Sequence, residues 1–132
     1  AVDPQLARAV AAAVHDANLD LVLVGLANSE LIRAGQAEGI RTAQEFFADR
    51  NYTDEGLLVS RKLPDAVITD EDFAVARVVR AVKEGAIESV SGKLITVKPD
   101  TICIHGDNAH ALEFAGKIRT ALTEAGIEVK PV

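Results

Sequence analysis

Short β-branched segments alternate with amphipathic helical segments along this chain, and that alternation restricts its fold more than any other feature. Residues 19–24 are nearly all apolar and are followed by Gly25, and residues 102–104 form a second β-branched run that ends before His105 and Gly106. Unbroken apolar runs between turn signals are typical of strands in parallel sheets that are covered on both faces. With 132 residues, 48% of them apolar and only 4% aromatic, the sequence predicts one α/β domain over residues 1–132.

The predicted helices and strands follow one another in successive αβ steps with one hairpin inserted. In chain order they are a helix over residues 4–18, a strand over 19–24, a helix over 30–38, a strand over 41–48, a helix that ends at Gly85, a hairpin of residues 86–90 and 93–97, a strand over 102–104, a helix that follows Asn108, and a strand over 127–129. The predicted N-caps are Asp3 before Pro4, Asn28 or Ser29, Thr69 in a capping box with Asp72, and Asn108. The apolar stripes predicted for the last two helices are Phe73, Val75, Ala76, Val79 and Val82, and Ala111, Leu112, Ala115, Ile118, Ala121 and Leu122.

Charge and composition exclude several classes of protein. The formal net charge is −6, which argues against a nucleic-acid binder because such domains usually carry a basic face. The one cysteine, Cys103, lies inside an apolar strand, so we expect a buried, inert thiol in a reducing compartment. No apolar run reaches the length of a membrane span and no basic-then-apolar leader opens the sequence. A cytoplasmic location is predicted, and because the chain holds no methionine it is expected to be processed or a piece of a longer protein.

Polar side chains follow three of the predicted strands. Because the carboxyl ends of parallel strands meet at one edge of a sheet, these side chains are expected to gather there. They are Asn28, Ser29, Asp49, Arg50, His105, Asp107 and Asn108. His105 and Asp107, two residues apart, have the chemistry of metal ligands or of an acid/base pair.

Structural explanations of the same residues remain open at this point. Asp107 and Asn108 would in that case only cap the following helix, with His105 bonded to a loop. Asp49 and Arg50 would form an ion pair that fixes a loop. His110 is equally well explained by an orientation into the site or into solvent, and His15 is expected at the surface.

Spaced segments of the sequence resemble the LamB/YcsF family, which includes the A subunit of prokaryotic 5-oxoprolinase. Residues 47–52, Phe-Ala-Asp-Arg-Asn-Tyr, together with Gly56, Leu58, Val59 and Arg61, are similar to the family's FADRxY…G.LV.R segment. Residues 102–108, Ile-Cys-Ile-His-Gly-Asp-Asn, are similar to its C[VIL]HGD[NT] segment. Residues 24–29 and 66–68 resemble two further stretches, in the same order along the chain.

The resemblance implies that this chain is the C-terminal half of a LamB/YcsF-type protein, because the family's DLNxDxGE and KPHGALYN segments are absent from it. It implies as fold a portion of a seven-stranded β/α barrel of the glycoside hydrolase/deacetylase-like kind. Half a barrel leaves sheet edges and an apolar face uncovered. The missing N-terminal half is therefore an expected partner, with self-association through edge strands as the alternative.

The resemblance also implies a reaction and its components. The reaction is the ATP-dependent opening of 5-oxo-L-proline to L-glutamate, carried out with 5-oxoprolinase subunits B and C, and ATP is the expected co-substrate, with partner subunits as its possible binding place. Arg50 or Arg61 would bind the substrate's carboxylate or a phosphate, as would the amides Asn28 and Asn108. His105 or Asp107 would act as base or hold a divalent metal, and Asp49 would orient one of them.

Two rival functions are compatible with the same residues. One is a metal-dependent, deacetylase-like hydrolase of a sugar amide, in which His105 and Asp107 hold the metal. The other is a scaffolding half without catalysis, which completes a barrel and binds partner subunits.

Overall fold

The computed structural model describes residues 2–106 and 110–132, so Asp107 and Asn108 lie outside the described residues. The helices are α1 (Pro4–Ala17), α2 (Glu30–Ala37), α3 (Glu71–Glu84) and α4 (Ala111–Glu124), and the strands are β1 (Val22–Leu26), β2 (Arg41–Phe47), β3 (Ala86–Glu88), β4 (Leu94–Thr96) and β5 (Thr101–Cys103). A short 3₁₀ turn, Pro64–Ala66, was not predicted. The structure confirms a mixed α/β fold with a mostly parallel sheet.

The sheet has the strand order β1-β2-β5, and β3 and β4 form a separate hairpin. Strands β1 and β2 are parallel and pair Val22 with Arg41 through Leu26 with Glu45. Strands β3 and β4 are antiparallel, which confirms the hairpin, although both of its strands end earlier than predicted. The chain groups into two compact units, one made of residues 1–46, 99–101 and 132, the other of residues 47–98 and 102–131. That residues 1–132 form one domain stays a prediction.

The first unit has a small apolar core between α1, α2 and β1. Ala7, Ala11, Leu23, Ala34 and Ile40 are buried in it, with Val14 and Leu31 packed alongside. Close packing depends on Gly35, because a Cβ there would lie 2.8 Å from both Leu23 Cδ2 and Thr42 Cγ2. The predicted N-caps of α1 and α2 are confirmed, since Asp3 Oδ1 accepts from two backbone amides of α1 and Ser29 caps α2.

Strand β1 departs from its prediction in three respects. It begins at Val22 rather than at residue 19, and it continues through Gly25 to Leu26 rather than ending at residue 24. Its second face is not covered in the described part of the chain, where Val24 is 44% exposed. The apolar run of residues 19–24 did not separate the strand from the turn before it. Its two-sided apolar character predicted a covering layer that the described residues do not supply.

The second unit contains α3 and α4, whose buried faces were predicted in part incorrectly. In α3 the buried residues are Ala74, Arg77, Val78 and Ala81. None of the five residues of its predicted stripe is buried, and Phe73 is 55% exposed. In α4 they are Phe114, Ile118 and Leu122, whereas Leu112 is 89% exposed. Apolar residues lie on more than one face of each helix, so the sequence pattern alone did not decide which face packs inward.

The predictions for the N-cap of α3 and for a final strand were also wrong. The N-cap of α3 is Asp70, whose Oδ1 accepts from Phe73 N at 3.0 Å, so the Thr69 capping box is wrong because a carboxylate one residue later is available. The strand predicted at residues 127–129 is wrong, because those described residues are not in a strand. The amide of Ile127 instead donates to Leu122 O and closes the end of α4.

In the part of the chain that the structure describes, no helix combines the length and the apolar character that crossing a membrane requires. The cytoplasmic location stays a prediction.

Candidate functional site

Two strand ends meet in the second unit. The amide of Ala48, just after β2, donates to the carbonyl of Cys103, the last residue of β5, at 3.0 Å. The next residue along the first segment is Asp49, and two residues after Cys103 comes His105. Hydrogen bonding between the two segments therefore brings both side chains to the same edge of the sheet.

The imidazole of His105 lies directly against the carboxylate of Asp49. Nδ1 of His105 is 2.9 Å from Oδ1 and 2.8 Å from Oδ2 of Asp49, and the two side chains are only 25% and 16% exposed. An ionised carboxylate can only accept hydrogen bonds, so a neutral His105 carries its proton on Nδ1. This tautomer leaves the lone pair of Nε2 available to take a proton from water or to bind a metal ion.

Arg50, predicted as a substrate ligand or a loop-fixing residue, has a structural task. Its side chain is buried, and Nε donates to Ala66 O at 3.0 Å while Nη2 donates to Val59 O at 2.6 Å. The backbone of Arg50 also bridges to Val67. The guanidinium therefore fixes the loop that follows β2, in agreement with the loop-fixing alternative, and its partners are carbonyls rather than Asp49.

The other predicted site residues fall into three groups. Asn28 belongs to the first unit, where it has a left-handed φ of 62° and its backbone N–H donates to Gln44 Oε1. Arg61 lies exposed in the loop after β2. Asp107 and Asn108 lie outside the described residues, and α4 begins after His110, whose side chain makes no capping bond. The substrate-binding roles of these residues stay predictions.

The remaining histidines are more exposed than His105, and the cysteine is partly buried. The side chains of His15 and His110 are 42% and 70% exposed. Cys103 is only partly buried, as are the other two residues of β5, so the predicted fully buried thiol is wrong.

A metal site is not assembled by the described residues alone. Residues 2–106 and 110–132 contain no group of three or more His, Cys, Asp or Glu side chains placed to hold an ion. His105 is the one member of the predicted metal pair that lies within them, with Asp49 in the position of a carboxylate that orients a ligating or proton-accepting histidine.

Sequence reasoning missed the part that α3 plays in this region. Arg77 is 6% exposed, its Nη1 donates to Arg50 O at 2.8 Å, and its guanidinium lies 5.3 Å from the centre of the Tyr52 ring. Burial lowers the pKa of Arg77 to about 10, so the side chain remains cationic at neutral pH. Its signal in the sequence is an arginine within the stripe Ala74, Val78 and Ala81.

The family model for LamB/YcsF proteins matches residues 1–132, the full length of the chain. The chain belongs to the LamB/YcsF family. The resemblance seen in the strand-end segments is thereby confirmed.

Relatives within the LamB/YcsF family are identical to this chain at about half of the aligned positions. The A subunit of 5-oxoprolinase from Bacillus subtilis (strain 168) is 52% identical over 132 residues, which are 100% of this chain and 51% of the relative. The protein of the same name from Alkaliphilus metalliredigens (strain QYMF) is 49% identical over 129 residues, covering 98% of this chain and 50% of the relative. The chain thus spans about half the length of the curated relatives it matches.

A solved structure agrees with this family assignment. The lactam utilization protein from Thermus thermophilus is 37% identical with a TM-score of 0.88, over 99% of this chain and 52% of that one. This LamB/YcsF chain therefore has the fold of about half of that protein, consistent with a portion of a β/α barrel.

Proposed function

We propose that this chain is the C-terminal part of the A subunit of a 5-oxoprolinase, in which it contributes the Asp49–His105 pair to the opening of 5-oxo-L-proline. The support comes from relatives at 49–52% identity that are named as the A subunit of 5-oxoprolinase, and from a structural neighbour named for lactam utilization. The reaction consumes ATP and yields L-glutamate, with subunits B and C as partners.

The contact between His105 Nδ1 and Asp49 is the observation that carries the chemistry. A lactam carbonyl is a poor electrophile, so transfer of a phosphoryl group from ATP to its oxygen would activate it. Water must then be deprotonated as it attacks the carbonyl carbon. Nε2 of His105 takes this proton, and the carboxylate of Asp49 stabilises the imidazolium that results. The ring C–N bond then breaks, and its nitrogen takes the proton back from Nε2. A second water would hydrolyse the acyl phosphate so formed, so that the products are L-glutamate, phosphate and the ADP left by the phosphoryl transfer.

The remainder of the site is assigned to the part of the relatives that this chain does not span. That segment would cover the face of β1 on which Val24 is 44% exposed and would supply ligands for the substrate and for ATP. Arg61 and Asn28 remain our candidates from this chain for binding the substrate carboxylate or a phosphate. Arg50 is left out because its guanidinium holds Val59 and Ala66.

The test is 5-oxoproline-dependent ATP hydrolysis and glutamate formation by the chain together with the N-terminal segment and subunits B and C. His105→Ala and Asp49→Asn are expected to lower kcat by about a hundredfold to ten-thousandfold, the usual contribution of a positioned general base. His15→Ala, a change at a partly exposed histidine of α1, is the matched control and is expected to keep wild-type activity.

Two outcomes would redirect the proposal. If His105→Ala retains the kcat of His15→Ala, the pair does not act as the base. If glutamate is never formed but a sugar amide is hydrolysed with a retained divalent metal, the deacetylase-like alternative is correct. Activity that appears only when the N-terminal segment is added identifies the site as composite.

A further inference from the structure

The hydroxyl of Tyr52 accepts a hydrogen bond from the last residue of β2. Tyr52 is 1% exposed, and the amide of Phe47 donates to its Oη at 2.9 Å. A buried phenol needs a hydrogen-bond partner, and the amide of a residue that ends a strand needs an acceptor. This bond joins a loop side chain to the strand end from which Asp49 projects.

Phe47 in turn is linked to both members of the proposed catalytic pair, to His105 through its ring and to Asp49 through the backbone. Its ring lies 5.7 Å from the imidazole of His105, centre to centre, at an angle of 31°. Its backbone is two residues before Asp49. Any shift of Phe47 therefore changes both the ring that supports His105 and the direction of the Asp49 side chain.

Tyr52 is itself held in place from two further sides. The guanidinium of Arg77 lies over its ring, and its carbonyl accepts from Val90 N at 2.9 Å. Arg77 also binds the carbonyl of Arg50, two residues before Tyr52. A cation over an aromatic face restrains the ring where both are desolvated, so the hydroxyl has a fixed position.

We propose that Tyr52 is a positioning residue that acts through Phe47 to hold His105 Nδ1 against Asp49. The role of this pair in the reaction rests on the proposed function above, but the positioning itself does not. The hydroxyl of Tyr52 works by fixing the end of β2, and the Phe47 ring and the Asp49 backbone transmit that restraint to the pair. The consequence is a histidine kept in the Nδ1–H tautomer.

Tyr52→Phe is the informative variant, because it keeps the ring beneath Arg77 and removes only Oη. The first readout is the ¹⁵N spectrum of His105 in the chain, which distinguishes the two neutral tautomers of the imidazole. Wild type is expected to show the Nδ1–H tautomer, and Tyr52→Phe an increased share of Nε2–H. Ile118→Val, which trims a buried side chain of α4, is the control for general loss of stability and is expected to keep the wild-type tautomer.

The second readout is the kinetics of the assembled enzyme. Tyr52→Phe is expected to lower kcat by about two- to tenfold, as for the loss of one hydrogen bond, with KM unchanged. If Tyr52→Phe does not fold, Arg77→Lys removes the planar group above the ring and is expected to change the tautomer in the same direction.

The outcomes separate the two proposals. The positioning role is overturned, whatever the activity, if His105 in Tyr52→Phe has the same tautomer as in Ile118→Val. If Tyr52→Phe does not fold, the same comparison is made with Arg77→Lys. A changed tautomer together with full activity of His105→Ala supports the positioning role and refutes the catalytic assignment of the pair.

Discussion

Replacing Arg50 by methionine tests whether this arginine is a structural clamp. The variant removes the donors to Ala66 O and Val59 O but keeps a long apolar side chain in the same buried position. Hydrogen bonds to charged groups contribute about 1.5–3 kcal/mol each, so losing two should destabilise the fold by about 3 kcal/mol or more. For a chain of this size that loss corresponds to a fall in Tm of about 10 °C.

The assay uses the fluorescence of Tyr52, which is the one tyrosine of a chain without tryptophan. Tyr52 lies two residues after Arg50 and in the same compact unit, so its emission during urea unfolding reports on the affected region. Arg119→Met, at an exposed position of α4, is the matched control and is expected to change stability by less than about 0.5 kcal/mol. If Arg50→Met unfolds at the same urea concentration as Arg119→Met, the clamp has no energetic importance and the substrate-binding role regains its place.

Three further changes test local features of the fold. Asp70→Ala should lower the free energy of unfolding by about 1 kcal/mol because α3 loses its N-cap, whereas Thr69→Ala should leave it nearly unchanged. Thermal unfolding followed by circular dichroism measures both variants, and equal losses of stability would contradict the cap assignment. Gly85→Ala should cost about 1–2 kcal/mol, because the residue has a φ of 65°, and wild-type stability in the same assay would refute this. The hydroxyl of Ser89 and a second serine hydroxyl lower the pKa of Asp54 below its usual 3.8. The contribution of these hydrogen bonds to folding stability is therefore fully present above pH 3.8 and is lost as the pH falls through the lower pKa of Asp54 in the folded state. NMR titration of Ser89→Ala should show the Asp54 pKa moving upward, and an unchanged pKa would exclude this hydroxyl as the cause.

Local signals in the sequence predicted the starts of α1 and α2 and the alternation of elements. Asp3 before Pro4 and Ser29 act as caps in the structure, because a cap needs only the side chain and the amides of the next turn. The strand-end motif likewise located Asp49 and His105, since residues after parallel strands collect at one edge. The face of a helix that packs inward is a different matter: α3 offers two stripes, and the choice depends on what lies opposite.

By itself, the sequence determined the α/β class, the order of the main helices and strands as far as α4 and the chemistry available at the ends of β2 and β5, because propensity and periodicity act over a few residues. Only the tertiary structure decided which of the polar side chains work together. The partner of His105 is 56 residues away, and Arg50 binds carbonyls 9 and 16 residues along the chain. Such partners are set by strand pairing and by the need to satisfy buried polar groups, neither of which leaves a mark at a fixed spacing in the sequence.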